Sequence, residues 1–194
     1  SKEMVLAELA KYAGFYAEQP GRDWRSVEDT THDPIFGARK PKPFASQARG
    51  EDYYNEGSLV WLAADMTIRE LSRGTKSLDD FAKAFFGVRD ADWGVLTYDF
   101  DEVVRTLNSV QPYDWAKFLN TRLRQPGQPA PLTGIEKGGY KLVWKEEPNI
   151  FDKEIMKEGS NLNLIHSLGL TLDKDGKVTS VFWNSPAFKA DIVN

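Results

Sequence analysis

Cysteine is absent from the 194 residues. That removes disulfides, thiolate metal ligands and thiol nucleophiles together, and it leaves the compartment, periplasmic or cytoplasmic, open. Histidine is nearly as scarce, with only His32 and His166. A His-Glu-x-x-His zinc site needs two imidazoles one helical turn apart and a third ligand, so the sequence carries no zinc centre of that kind. Both histidines read as turn or surface residues. No apolar run reaches the roughly 18 residues that cross a bilayer, and no basic-then-apolar leader opens the chain, so a membrane partner is not expected. An excess of positive charge is also lacking: 25 Lys and Arg face 29 Asp and Glu, for a net charge of −4. The two signs are interspersed, which argues against nucleic acid as a partner. No Gly-x-Ser-x-Gly elbow, phosphate loop or dinucleotide glycine pattern occurs either.

What the sequence has is helical periodicity with well-marked ends. Val5, Leu9, Tyr12 and Tyr16 predict an amphipathic helix over residues 3–18, stopped by Pro20 and Gly21. Residues 21–50 mix proline, glycine and charge without a period. They read as a long irregular loop, with one capped turn at SVED and with Trp24, Phe36 and Phe44 available to pack it. From Gly57 to Arg73, Leu59, Val60, Trp61, Leu62, Met66, Ile68 and Leu71 leave only a narrow polar stripe, so this helix should be largely buried, with Gly74 as its left-handed stop. Ser77 and Asp80 form a capping box for a helix that presents Leu78, Phe81, Phe85 and Phe86 inward and ends at Gly87. Asp99, or Thr97, can cap a segment carrying Val103, Val104 and Leu107. Asp114 can cap another carrying Trp115, Phe118, Leu119 and Leu123.

The pattern changes after the proline-rich RQPGQPAP, residues 124–131. YKLVWKE, SLGLTL and KVTSVFW read as short strands, with DKDG as a hairpin turn between the last two. SPAFKADI follows as a short helix with Ser185 at the N-cap and Pro186 behind it. The expectation is therefore an α+β chain: an N-terminal α-helical bundle over 1–127, followed by a small, incomplete β domain over 128–194. Both ends look cut, as in a piece of a longer protein.

The residues best suited to chemistry are tyrosines. A phenol with a pKa near 10 stays protonated at neutral pH and can donate to an oxygen that gains negative charge, such as that of the tetrahedral intermediate of peptide hydrolysis. Tyr53 and Tyr54 stand where a buried helix begins, and the backbone dipole adds positive potential there. Alternatively, the two rings merely close the end of the bundle with their hydroxyls in water.

Four blocks then carry a resemblance: PGRDWRSVEDTTHDP, DYYNEGSLVWLAADMTIRELSRGTKSLDDFAKAFFG, GGYKLVWKEEPN and SLGLTLDKDGKVTSVFWNSPAFKADI. In this order they resemble the C-terminal half of the glycyl aminopeptidase family, zinc metallopeptidases with a thermolysin-like catalytic domain, a helical domain and a PDZ domain. The resemblance implies a piece of an aminopeptidase that removes small N-terminal residues such as Gly or Ala. Its zinc would be held in a missing catalytic domain of the same chain, leaving no cofactor in this one and little activity in it alone. Zinc aminopeptidases of the broader set open a helix with Tyr-x-Lys-Gly, whose phenol binds the intermediate. Tyr54-Asn55-Glu56-Gly57 is similar to it, which gives Tyr54 the catalytic role and puts Glu56 where lysine is usual. Ser167, Leu168, Gly169 and Leu170 resemble the PDZ loop that binds a peptide carboxylate through its amides. The competing expectation is a non-catalytic module that presents a PDZ-like domain to peptides.

Overall fold

The computed structural model describes residues 1–37, 44–157 and 162–192. Helix α1 spans Lys2–Glu18 and begins on the Ser1 hydroxyl, which accepts from the Met4 amide at 3.3 Å. Its inward stripe is Ala7, Ala13, Gly14 and Tyr16, while Val5 is 62% exposed and lies off that face. Three one-turn helices interrupt the stretch expected to be an irregular loop: α2 (Val27–Thr30), α3 (Asp33–Phe36) and α4 (Ala45–Ala48), preceded by a 3-10 turn over Pro20–Asp23. The SVED turn closes a full capping box between Ser26 and Asp29 at the head of α2. The loop aromatics do not form a packing cluster of their own. Trp24 and Phe36 are largely exposed, and Phe44 instead meets Trp183 and Phe188.

Helix α5 (Asn55–Leu71) buries Leu59, Val60, Ala63, Ala64, Thr67 and Ile68, pairs spaced four apart that share one side of the cylinder. Gly74 takes φ +78° and donates its amide to Arg69 O at 2.7 Å, stopping the helix. Helix α6 (Leu78–Phe86) carries both arms of the Ser77–Asp80 capping box. Phe81 and Phe85 turn toward the core, but Phe86 is 73% exposed. Helices α7 (Phe100–Val110) and α8 (Trp115–Arg124) start on the carboxylates of Asp99 and Asp114, which accept from the amides three residues on. Val60, Ala64, Ile68, Phe81, Leu107, Trp115 and Leu119 form the core these four helices share. Trp115 is fully buried and donates its indole N–H to Gln111 O at 2.8 Å.

Beyond the proline-rich stretch the chain stays on the helical body. Helix α9 (Thr133–Lys137) lies against α5 so closely that a Cβ on Gly134 would sit 2.6 Å from the Ala63 amide nitrogen. Helix α10 (Ile150–Lys157) packs on α1. YKLVWKE between them is not a strand. Only Leu142 of that run packs on a buried cluster, and most of its other side chains are exposed. The alternation pairs with neither edge of the sheet, and the third strand comes from Leu162–Leu164 instead.

The sheet is antiparallel with order β1 (Leu162–Leu164), β2 (Leu170–Leu172), β3 (Val178–Val181); Leu170 sits opposite Leu164 on one side and Val181 on the other. Gly176, at φ +78°, supplies the turn after DKD, closed by the Asp173 amide on Lys177 O at 2.9 Å. Helix α11 (Pro186–Lys189) starts on Ser185 and covers the sheet with Ala187. The architecture is α+β, mostly helical with one small sheet. Among the described residues no helix is long and apolar enough to cross a membrane.

Candidate functional site

The mouth of α5 is built differently from the ends of the other long helices. Its N-cap, Tyr54, makes no side-chain capping bond, whereas α1, α6, α7 and α8 all have one. Beneath Tyr54 lies a nearly closed set of charged side chains. Glu56, 4% exposed, accepts from Arg22 through Oε1 at 2.8 Å and from Arg49 through Oε2. Arg49, 2% exposed, also gives its Nε–H to Asp52 Oδ2 at 2.7 Å and a further N–H to Arg25 O at 2.8 Å. Arg22 completes its fork on Tyr16 O at 3.2 Å and Gln128 O at 3.1 Å. Arg25 chelates Asp33 and reaches Ala48 O and Arg49 O. The segment expected to be a loop is therefore held by guanidinium groups bonded to carboxylates and backbone carbonyls, of which Arg22 reaches furthest along the chain, to Glu56 and Gln128.

Burial has electrostatic consequences here. The Asp52 carboxyl is pushed up to about 6 by desolvation, with Glu56 adding to the rise and the bond and charge of Arg49 opposing it. The Tyr16 phenol is pushed well above the usual range, first by burial and then by the Asp52 and Glu56 carboxylates. Arg122, beside Arg22, is lowered by desolvation. Packing is equally tight: a Cβ on Gly21 would come within 2.9 Å of Gln47 O, Ser46 O and Arg49 Cβ.

Above this base Tyr54 is 61% exposed, its ring 4.4 Å from that of Tyr53 between centroids. A Cβ on Gly57 would meet nothing within 4 Å, so the helix surface one turn further on is open. The mouth thus offers a phenol at an open surface, next to a buried, hydrogen-bonded set of charges. Sequence reasoning named Tyr54, noted Glu56 only as a departure from lysine, and missed Arg22, Arg49 and Asp52. The glutamate that departs from the lysine of the aminopeptidase element points inward, where its charge is matched by two arginines. The signal available was an arginine in each of PGRD and ARGED, but charge in such stretches usually faces water.

The second predicted site lies in the sheet. Gly169, φ +77°, tolerates no side chain, since a Cβ would fall 2.0 Å from Ser185 Cβ. The amides of Ser167, Leu168 and Gly169 all donate to Leu164 O, at 3.2, 2.9 and 2.9 Å, and Leu170 pairs on both sides. In this arrangement the amides face the chain's own carbonyl, and β1 occupies one side of β2.

Among the described residues no group of three or more His, Cys, Asp and Glu side chains is placed to hold a metal ion. His166 Nδ1 instead pairs with Glu18 Oε2 at 2.7 Å, joining the sheet unit to α1, and its ring lies 4.9 Å from Trp144. His32 sits at the head of α3.

The model of the M61 glycyl aminopeptidase family matches residues 1–60. That span contains α1, the arginine-held segment and the opening turns of α5, and so includes Arg22, Arg25, Arg49, Asp52, Tyr54 and Glu56. No curated protein matches the chain.

Proposed function

We propose that this chain is a non-metal portion of an aminopeptidase that hydrolyses the first peptide bond of substrates with small N-terminal residues, and that Tyr54 is its oxyanion donor. The observation that carries the reading is the exposure of Tyr54, 61%, at the open mouth of a helix that buries one face in the core, within the span matched by the peptidase family. In the reaction a water oxygen bonds to the scissile carbonyl carbon and the carbonyl electron pair moves onto its oxygen. The C–N bond then breaks as the leaving amine takes a proton. The Tyr54 hydroxyl donates to the oxygen while it is negative, and a preorganised donor counts most at that moment. The buried base excludes water from behind the phenol, and the α5 N-terminus adds favourable potential. The zinc that such peptidases use would be held by residues elsewhere in the longer protein, because the described residues do not form its site.

The test is Tyr54→Phe in the intact peptidase. Loss of a donor that acts only in the transition state should lower kcat about 100-fold and leave KM nearly unchanged. Tyr53→Phe should retain most activity. Undiminished kcat in Tyr54→Phe would remove this residue from the chemistry.

A further inference from the structure

Glu56 stands two residues beyond Tyr54. At 100° per residue these positions lie on nearly opposite sides of the helix, so whatever draws Glu56 inward turns Tyr54 outward. Three further observations bear on the first turn of α5. Its start lacks a side-chain cap, and Asp52, a residue type suited to capping, uses its carboxylate on Arg49. The approach to the helix is strained, with Phe44, Arg49 and Glu51 at φ 49°, 54° and 47°, conformations that persist only where the surroundings over-determine them. The two arginines on Glu56 also come from different segments, the turn after α1 and the bend after α4. Buried ion pairs add little net stability compared with apolar packing, but they fix which group lies where.

We propose that Glu56 is a positioning residue for Tyr54: bound by Arg22 and Arg49 at once, it locks the first turn of α5 in the one rotation that aims the phenol at the reacting carbonyl. This inference rests on the reading of Tyr54 as oxyanion donor. A small rotation of that turn would swing the phenol oxygen by about 1 Å, a misplacement that can cost about 100-fold in rate.

The experiment places 3-fluorotyrosine at position 54 of the intact peptidase and compares Glu56→Gln, which keeps the shape and removes the charge, with the parent. The ¹⁹F resonance should shift or split, and kcat should fall about tenfold with KM changed less than about twofold. The kcat loss should nearly vanish in a Tyr54→Phe background, because a misaimed phenol and an absent one are the same defect. Asp99→Ala, a destabilising change in the bundle, should leave both the resonance and kcat unchanged. An unmoved, single resonance in Glu56→Gln, or losses that multiply independently with Tyr54→Phe, would overturn the proposal. If Tyr54→Phe alone has no effect on kcat, the oxyanion reading fails, and the ¹⁹F spectrum still decides the positioning. Should Glu56→Gln fail to fold, Arg49→Lys carries the same comparison, since lysine keeps the charge but loses the fork that reaches Asp52, Glu56 and Arg25 O together.

Discussion

The bundle of α5 to α8 and the mouth at residues 16–56 solve the same problem with opposite materials. In the bundle, apolar side chains at helical spacing fill a common core, and each of α6, α7 and α8 starts on its own serine or aspartate, so specification is local. At the mouth the helices are one turn long or uncapped, and position is set by arginines, of which Arg22 alone reaches 34 residues to Glu56 and 106 residues to Gln128. Local caps and apolar stripes tolerate variation in the surroundings. A closed charge network does not, which suits the role proposed for Tyr54, whose hydroxyl would have to point in one direction.

The sharpest way to break that contrast is to remove the charge on which the mouth converges. Glu56→Ala leaves the buried guanidinium groups of Arg22 and Arg49 without their shared carboxylate and should cost about 3–5 kcal/mol by urea unfolding. Trp115→Ala in the bundle should cost a similar 3–5 kcal/mol, by leaving a cavity. The two are told apart by rescue: replacing Arg22 and Arg49 with Met beside Glu56→Leu and Asp52→Leu should recover much of the mouth's loss, because an apolar set of similar volume is often neutral against a buried ion cluster.

The second effect depends on pH. The folded-state pKa of Asp52 is raised from 3.8 to about 6, so between those values the folded chain holds a proton that the unfolded chain releases. Its contribution is full below about 4 and is lost as pH rises through 6, by up to about 3 kcal/mol for a shift of this size. Arg22, Arg49, Glu56 and Tyr16 are the charged and titratable groups that face it. Stability measured at pH 4.5 and pH 7 should therefore fall more steeply in the parent than in Asp52→Asn. An Asp52→Asn protein with the parent's slope would show that Asp52 is ionised throughout. Exposed carboxylates such as Asp29, lowered by its Ser26 hydrogen bonds, give the opposite slope in both proteins and cancel in the difference. Next in size, Gly21→Ala should cost about 1–3 kcal/mol, since three neighbours, two of them backbone oxygens, already lie within 2.9 Å of the new Cβ.

This division also governs what could be read from the amino acids. The α5 stripe, the Ser77–Asp80 box, the Asp99, Asp114 and Ser185 caps, the Gly74 stop and the DKDG turn were all legible, because each is decided within about one turn of chain. Of the one-turn helices, α2 was announced by its SVED cap, but α3 and α4 were not, because 21–50 has no period and its order comes from contacts with residues far along the chain. YKLVWKE has a strand's composition without a strand's partner, whereas Leu162–Leu164 has a partner and only three residues to announce it. At the candidate site, a polar aromatic at a helix mouth marked Tyr54. Nothing local marked Glu56, whose meaning depends on Arg22 and Arg49 arriving from elsewhere.

The smallest effect sharpens the comparison most directly. Asp99 accepts from the Glu102 amide at 2.7 Å at the head of α7, and Asp99→Ala should cost about 1 kcal/mol, with Asp99→Asn recovering most of it because asparagine caps almost as well. The loss should be confined to the bundle: hydrogen exchange should speed up in the first turn of α7 and leave the amides of residues 49–58 unchanged. A cap acts over one turn, and no contact of Asp99 reaches the arginine network among the hydrogen bonds and ion pairs described here. If exchange around Glu56 rose as well, the two regions would be one cooperative unit. The mouth would then owe its rigidity to the bundle beneath it, and Arg22 and Arg49 would only decorate a position already set.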